Sequence, residues 1–183
     1  MKRFLNCNAS DFEKMNGKEL VESIASSEGR VLVCETIGNL QPMLGDVSNA
    51  ELAAAMGADV ILLNIFDVDN PVINGLPPVD KGDLIRKVKE LTGRPVGINL
   101  EPKEQGVESS VEADAMWGIT DGRLGTLENA KKAVDMGVDF IVLTGNPGVG
   151  VTNRAIEETL AVYRKEFGAQ YHNPAYNALI AKA

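Results

Sequence analysis

Four short apolar runs punctuate the chain. They fall at 30–37 (Arg-Val-Leu-Val-Cys-Glu-Thr-Ile), 59–66 (Asp-Val-Ile-Leu-Leu-Asn-Ile-Phe), 95–101 (Pro-Val-Gly-Ile-Asn-Leu-Glu) and 139–144 (Asp-Phe-Ile-Val-Leu-Thr). Each is short, rich in β-branched residues and nearly continuous in apolar side chains. That pattern predicts strands buried on both faces, as in a parallel sheet.

Helical patterns separate the runs. Ser48-Asn-Ala-Glu51 reads as a capping box, with Ser48 as N-cap, opening an Ala-rich helix that ends near Gly57. Residues 80–92 carry Leu84, Ile85, Val88 and Leu91 at helical spacing, with Gly93 placed to cap the C-terminus. Two further helices are predicted over 126–136, closed by Gly137, and over 152–167, followed by Gly168. Ahead of the first strand, Ser10-Asp-Phe-Glu13 is another capping-box pattern and predicts a helical lead-in running towards Ser27.

Met56-Gly-Ala-Asp-Val-Ile-Leu-Leu63 returns 80 residues later as Met136-Gly-Val-Asp-Phe-Ile-Val-Leu143. The period equals two units of about 40 residues, and in each copy a helix ends at glycine just before a strand begins. Any short turn from helix to strand selects glycine; the joint match of Met, Asp, Ile and Leu points further, to shared βα ancestry or geometry. The expected fold is therefore α/β, TIM-barrel-like: residues 1–29 as helical lead-in, 30–168 as four βα units forming half a barrel, and 169–183 as a C-terminal tail, all in one domain. An open doubly wound sheet is the alternative, but the first strand is not followed by a Gly-x-Gly-x-x-Gly turn. The tail lacks a strand-like apolar run and reads as a loop with a short terminal helix. A half-barrel leaves sheet edges uncovered, so pairing with another copy is expected, with a distorted closure or a fragment of a longer chain as the other options.

The composition is that of a soluble globular protein, with 44% hydrophobic and 24% charged residues among 183. A net charge of −8 makes nucleic acid and anionic membranes poor partners. Cys7 and Cys34 form no metal-binding spacing, and Cys34, inside an apolar run, is expected to be a buried reduced thiol. No long apolar stretch follows the N-terminus and no run is long enough to span a membrane, which together suggest a cytoplasmic protein.

In barrels and open α/β sheets alike, ligands meet the carboxyl ends of the strands. There the sequence places Glu35; Asn64, Asp67 and Asp69; Asn99 and Glu101; and Thr144 followed by Gly145-Asn-Pro-Gly-Val-Gly-Val-Thr152. Glu35, Asp67 and Glu101 are the candidate catalytic groups. Asp67, Asp69 and Glu101 are hard oxygen donors of the kind that hold Mg²⁺, although strand ends also become polar simply on reaching water. Gly145, Gly148 and Gly150 could aim backbone N–H groups at a phosphate beside the following helix, with Asn64, Asn99, Thr144 and Asn146 orienting it. An ordinary strand-to-helix turn would need the same glycines, and the Lys-Ser/Thr ending of a P-loop is missing. Residues 102–125 make a long βα connection that could serve as a lid, with Trp117 either covering a ligand or pinning the loop and Arg123 pairing with an anionic substrate or a surface carboxylate. No strand interior carries lysine, and His172 is the only histidine, so Schiff-base and histidine-triad chemistry have no residues to work with.

Asn6-Cys-Asn-Ala-Ser10, Asp46-Val-Ser-Asn-Ala-Glu-Leu52, Leu63-Asn64 with Asp67 and Asn70-Pro71, and Leu143-Thr-Gly-Asn-Pro-Gly148 together resemble an uncharacterised bacterial TIM-barrel family. Its members are often labelled phosphoenolpyruvate phosphonomutase-like, sometimes haloacid dehalogenase-like. The resemblance spans residues 1 to about 168 and implies a longer barrel than this chain supplies. Phosphonomutase and isocitrate-lyase enzymes set strand-end acids around Mg²⁺ and use a mobile Lys-x-Cys-Gly loop. Asp67 and Asp69 are similar in kind to those acids. The cysteine-bearing loop is absent here, which weighs against carbon–carbon or carbon–phosphorus lyase activity. The expectation is a barrel that binds a small phosphate- or carboxylate-bearing metabolite, with Mg²⁺ and mutase- or lyase-like chemistry as its enzymatic form; a non-catalytic, self-associating half-barrel is the alternative.

Overall fold

A computed structural model describes residues 2–112, 115, 118–146, 148–168, 170–173 and 178–180. The lead-in is two short helices, α1 (Ala9–Phe12) and α2 (Gly17–Ala25). Four βα units follow: β1 (Val33–Ile37) with α3 (Asn49–Ala55), β2 (Val60–Asn64) with α4 (Leu84–Thr92), β3 (Val96–Leu100) with α5 (Leu127–Asp135), and β4 (Phe140–Leu143) with α6 (Asn153–Phe167). Two further strands close the chain, β5 (Gln170–Asn173) and β6 (Ala178–Ile180).

β1 to β4 lie side by side in sequence order, and every neighbouring pair is parallel. All four crossover helices pack on one face of this sheet. Ala50, Ile85, Val88, Ala130, Ala133, Ile156 and Tyr163 form one buried cluster with Ile61, Leu63, Val96, Ile98, Leu100, Ile141 and Leu143. Consecutive strands with helices on a single face are barrel geometry; a doubly wound sheet would carry helices on both. The other face, the inside of a barrel, is covered at its lower end by the lead-in, where Phe4, Phe12, Met15 and Leu20 pack on Val60, Leu62 and Phe140.

The Ser48–Glu51 capping box forms as the sequence predicts, and Gly93 takes the left-handed conformation after α4. α5 and α6 start from Thr126 and Thr152, each of which caps with its side chain. The repeat proves to be a geometric device. Met56 and Met136 end their helices, and Gly57 (φ +104°) and Gly137 (φ +92°) reverse the chain. Asp59 and Asp139 then accept the backbone N–H of Leu32 (2.8 Å) and Val96 (2.9 Å), fastening each new strand to the foot of the preceding one.

Several expectations need correction. The tail is no loop and helix: β6 adds antiparallel to β4 and β5 adds antiparallel to β6. Pairing, not apolar content, makes these strands, because a backbone ladder at an open edge accepts polar residues as readily. The lead-in is not one helix capped by Ser10. Asn8 and Asn16 cap its two pieces, each in a capping box with Asp11 or Glu19, and Ser10 lies inside the first turn. β1 is not buried on both faces, since it is an edge strand with Val33 52% exposed, and Cys34 within it is only half-buried. Residues 81–83, expected as the first turn of α4, form a separate 3-10 turn.

Candidate functional site

Side chains alternate across a strand, so every second residue of β1–β4 faces the inside of the half-barrel. From bottom to top these positions are Val33, Glu35 and Ile37; Val60, Leu62 and Asn64; Gly97, Asn99 and, one step past the strand, Glu101; and Phe140, Val142 and, likewise, Thr144. Apart from the exposed Val33, the lower positions are apolar and covered by the lead-in, and a β-carbon at Gly97 would strike the Phe140 ring. The upper positions of β2, β3 and β4 are polar, while β1 brings Glu35 and ends in Ile37. The inner face thus rises from a packed apolar floor to a polar mouth at the carboxyl ends of the strands.

The mouth is tied together. Asn64 donates from Nδ2 to Glu35 Oε1 at 2.7 Å. Its Oδ1 and that of Asn99 both accept the backbone N–H of Ile65, at 2.8 and 3.0 Å. Ile65 has φ +58°, a left-handed conformation that is costly for a β-branched residue. Two amide side chains on neighbouring strands therefore hold a strained peptide where β2 leaves the sheet.

Beside this group lies Glu101, fully buried, with Arg123 donating to its Oε2 at 2.7 Å. Asn146 Nδ2 is 3.4 Å from the other oxygen, Oε1. Burial lifts the Glu101 carboxyl above its ordinary range, against the opposing pull of Arg123. Arg123 also donates to the Gly118 carbonyl at 3.0 Å, and residues 123–125 pair by backbone with Glu101 as a short extension of β3. The long connection is thus anchored in part on the mouth, and Arg123 is a buried partner of Glu101 and no surface ion pair. Trp117, its other candidate feature, lies outside the described residues.

Asp67 and Asp69 belong to a different construction. Asp67 Oδ1 accepts the N–H groups of Asp69 (2.8 Å) and Asn70 (2.9 Å), while Oδ2 accepts from Thr120 at 2.6 Å. Burial pushes this carboxyl up, but Thr120, the two N–H groups and the charge of Arg123 outweigh it and hold it below its ordinary range. A β-carbon at Gly122 would overlap the Asp67 carboxylate, so glycine is what lets the two loops meet. Asp69 pairs with Lys132 on α5 at 2.8 Å. The three carboxylates proposed for Mg²⁺ are therefore held by separate protein partners. Among the described residues, no group of three or more His, Cys, Asp or Glu side chains could hold a metal ion. Asp67, Asp69 and Glu101 are thus not gathered into one donor set.

The glycine-rich run after β4 is packed by protein on one side. The carbonyls of Gly148 and Gly150 accept from Ser110 and Glu104, both at 2.9 Å, and Val151 bridges to Lys103. Thr152 donates to the Glu104 carboxylate and caps α6. Thr144 and Asn146 face the mouth, whereas Gly148 and Gly150 are engaged with the loop over 103–110. Pro147, inside the run, is not among the described residues.

Residues 5–172 match a family model described as a domain of unknown function, DUF7916. The chain belongs to this family. No curated protein matches it. The part matched to DUF7916 takes in almost the whole lead-in, all four βα units and most of β5, so the mouth and all of the floor except Phe4 fall within one domain model.

Sequence reasoning did not find Thr120, Gly122 or Ile65 as parts of this region. Nothing local marks them: each matters through a partner on another loop or strand. For the DUF7916 chain the site that the geometry brings together is Glu35, Asn64, Asn99, Glu101, Thr144 and Asn146, backed by Arg123.

Proposed function

We propose that this domain binds a small metabolite bearing a carboxylate or phosphate group in the polar mouth above β1–β4, with Glu101 as its proton donor or acceptor. The observation that carries this reading is the Glu101 carboxyl. It is enclosed, raised above its ordinary range and flanked by an arginine and an amide at the carboxyl end of the parallel strands, where titratable groups with displaced pKa values concentrate at functional sites. Asn64, Asn99, Thr144 and Asn146 would orient the ligand, Arg123 would supply positive charge, and Glu35 is the more exposed second acid. A thermal-shift series with phosphoenolpyruvate, oxalate and inorganic phosphate tests it. At least one should raise Tm, and the shift should disappear in Glu101→Gln and Asn99→Ala. No shift with any of the three sinks the reading.

A second reading is favoured by one observation, the uncovered edge at β1. Leu32, Val33, Leu40, Met43 and Leu44 are each more than half exposed on that strand and the residues flanking it. Apolar exposure of this extent beside an open strand suits an interface, here with a second copy of the chain. Light scattering should give twice the monomer mass, and Val33→Lys should return it to one; a monomer at every concentration defeats this reading.

A further inference from the structure

The end of the half-barrel opposite the mouth holds a cavity. It lies between α1 and the turns that lead into β3 and β4, with a volume of about 390 Å³. That falls within the range of small-molecule pockets. α1 contributes Ala9 and Phe12 as apolar wall and Glu13 at the exposed rim, and Arg94, just ahead of β3, closes the other side. α1 and the α4 turn approach so closely that a β-carbon at Gly93 would stand 3.3 Å from that of Ala9.

Five charged side chains line this cavity, and three of them are committed elsewhere. Arg86 donates to Asp83 at 2.9 Å and to the Asp135 carbonyl. Lys89 donates to Asp139 at 2.8 Å and to the Gly137 carbonyl at 3.1 Å. Glu90 accepts from Lys87 at 2.6 Å. Arg94 and Glu13 differ. The Nε of Arg94 is buried without a hydrogen-bond partner, and among the described residues no ion pair engages either its guanidinium or the Glu13 carboxylate. Two opposite charges thus border one cavity without meeting each other. A buried donor in this condition calls for a partner, and two unlike charges lining one cavity suit a partner that carries both signs.

We propose that this cavity binds a free α-amino acid. Its carboxylate would take the fork of Arg94, whose planar donors match a carboxylate in two parallel hydrogen bonds. The ammonium would meet Glu13, and an apolar side chain would lie on Ala9 and Phe12. Such a ligand would bridge the lead-in to the βα units from the end opposite the mouth, so it is a site independent of the function proposed above.

The test is a thermal-shift screen of the common amino acids at about 10 mM, with isothermal titration of the best of them. N-acetyl-L-leucine and L-leucine amide, each lacking one of the two charges, are the comparison pair for L-leucine. The expected result is binding of at least one apolar amino acid, with each blocked form weaker by about tenfold or more. Arg94→Gln should lose the preference for the free carboxylate, and Glu13→Gln the preference for the free ammonium, at an unchanged Tm of the unliganded chain. If no amino acid raises Tm, or if the acetylated form binds as well as the free one, the proposal fails. Should Arg94→Gln lower the unliganded Tm, Arg94→Lys serves in its place; retention of full affinity in a folded variant of that kind, with the fork gone, would also count against it.

Discussion

Glu101 and Arg123 are buried as an ion pair, and the cost of separating them falls on whichever is left. Arg123→Met should destabilise the chain by about 3–5 kcal/mol in urea unfolding, because a carboxylate remains enclosed without its counter-charge. The double change Glu101→Met/Arg123→Met should recover much of that loss. The two acids of the region respond to pH in opposite senses. Asp67, held below its ordinary range, contributes stability above the unfolded value near ~3.9, and this is lost as pH falls through the native value. Glu101, held above its range, contributes most below its unfolded value near ~4.3, and that contribution fades as pH rises through the native one. Unfolding free energy followed downward from about pH 4 should therefore fall more steeply in the parent chain than in Asp67→Asn. The polar residues of the mouth were legible because each interrupts or ends an apolar run. The pairing of Glu101 with Arg123, and the capture of Asp67 by Thr120, were not, since both depend on how a long connection folds back across 22 and 53 residues.

The repeated turn before β2 and β4 is one solution used twice, yet its two copies carry unequal loads. Asp139 is 2% exposed and accepts from both Val96 and Lys89, whereas Asp59 serves the edge strand β1 with a single bond. Asp139→Ala should cost about 3 kcal/mol by stranding a buried N–H and an ammonium, and Asp59→Ala about 1 kcal/mol, both read from denaturant midpoints at constant slope. An equal loss in the two would mean that the turn, and not the carboxylate, carries the stability. At this scale the sequence spoke clearly. The four strands, the Ser48 cap and the closing glycines follow from period and turn chemistry, which are local. The hairpin of β5 and β6 escaped because Gln170–Asn173 has no apolar signal; the edge of β4 takes β6, and pairing with β6 makes Gln170–Asn173 a strand. The exposure of β1 escaped for the converse reason: its composition is that of a central strand, while its neighbours place it at a margin.

The whole molecule depends on the lead-in as much as on the units. Phe4 and Phe12, with ring centres 4.5 Å apart, are the stopper in the floor of the half-barrel. Phe4→Ala should cost about 3–5 kcal/mol, as truncation of a buried aromatic does, and should shift the midpoint of the entire transition without splitting it. Two separate transitions would show that the lead-in folds apart from the sheet. No helix among the described residues is long and apolar enough to cross a membrane. The sheet itself is finished differently at its two sides. Beyond β4 the backbone turns back on itself and its last ribbon comes to rest against α2, whereas β1 has no neighbour on its outer side among the described strands. Should β1 lie against β1 of a second copy, as proposed above, each open edge would be used up by the other. Such an assembly would end at a pair, with the exposed apolar strand closed to further addition.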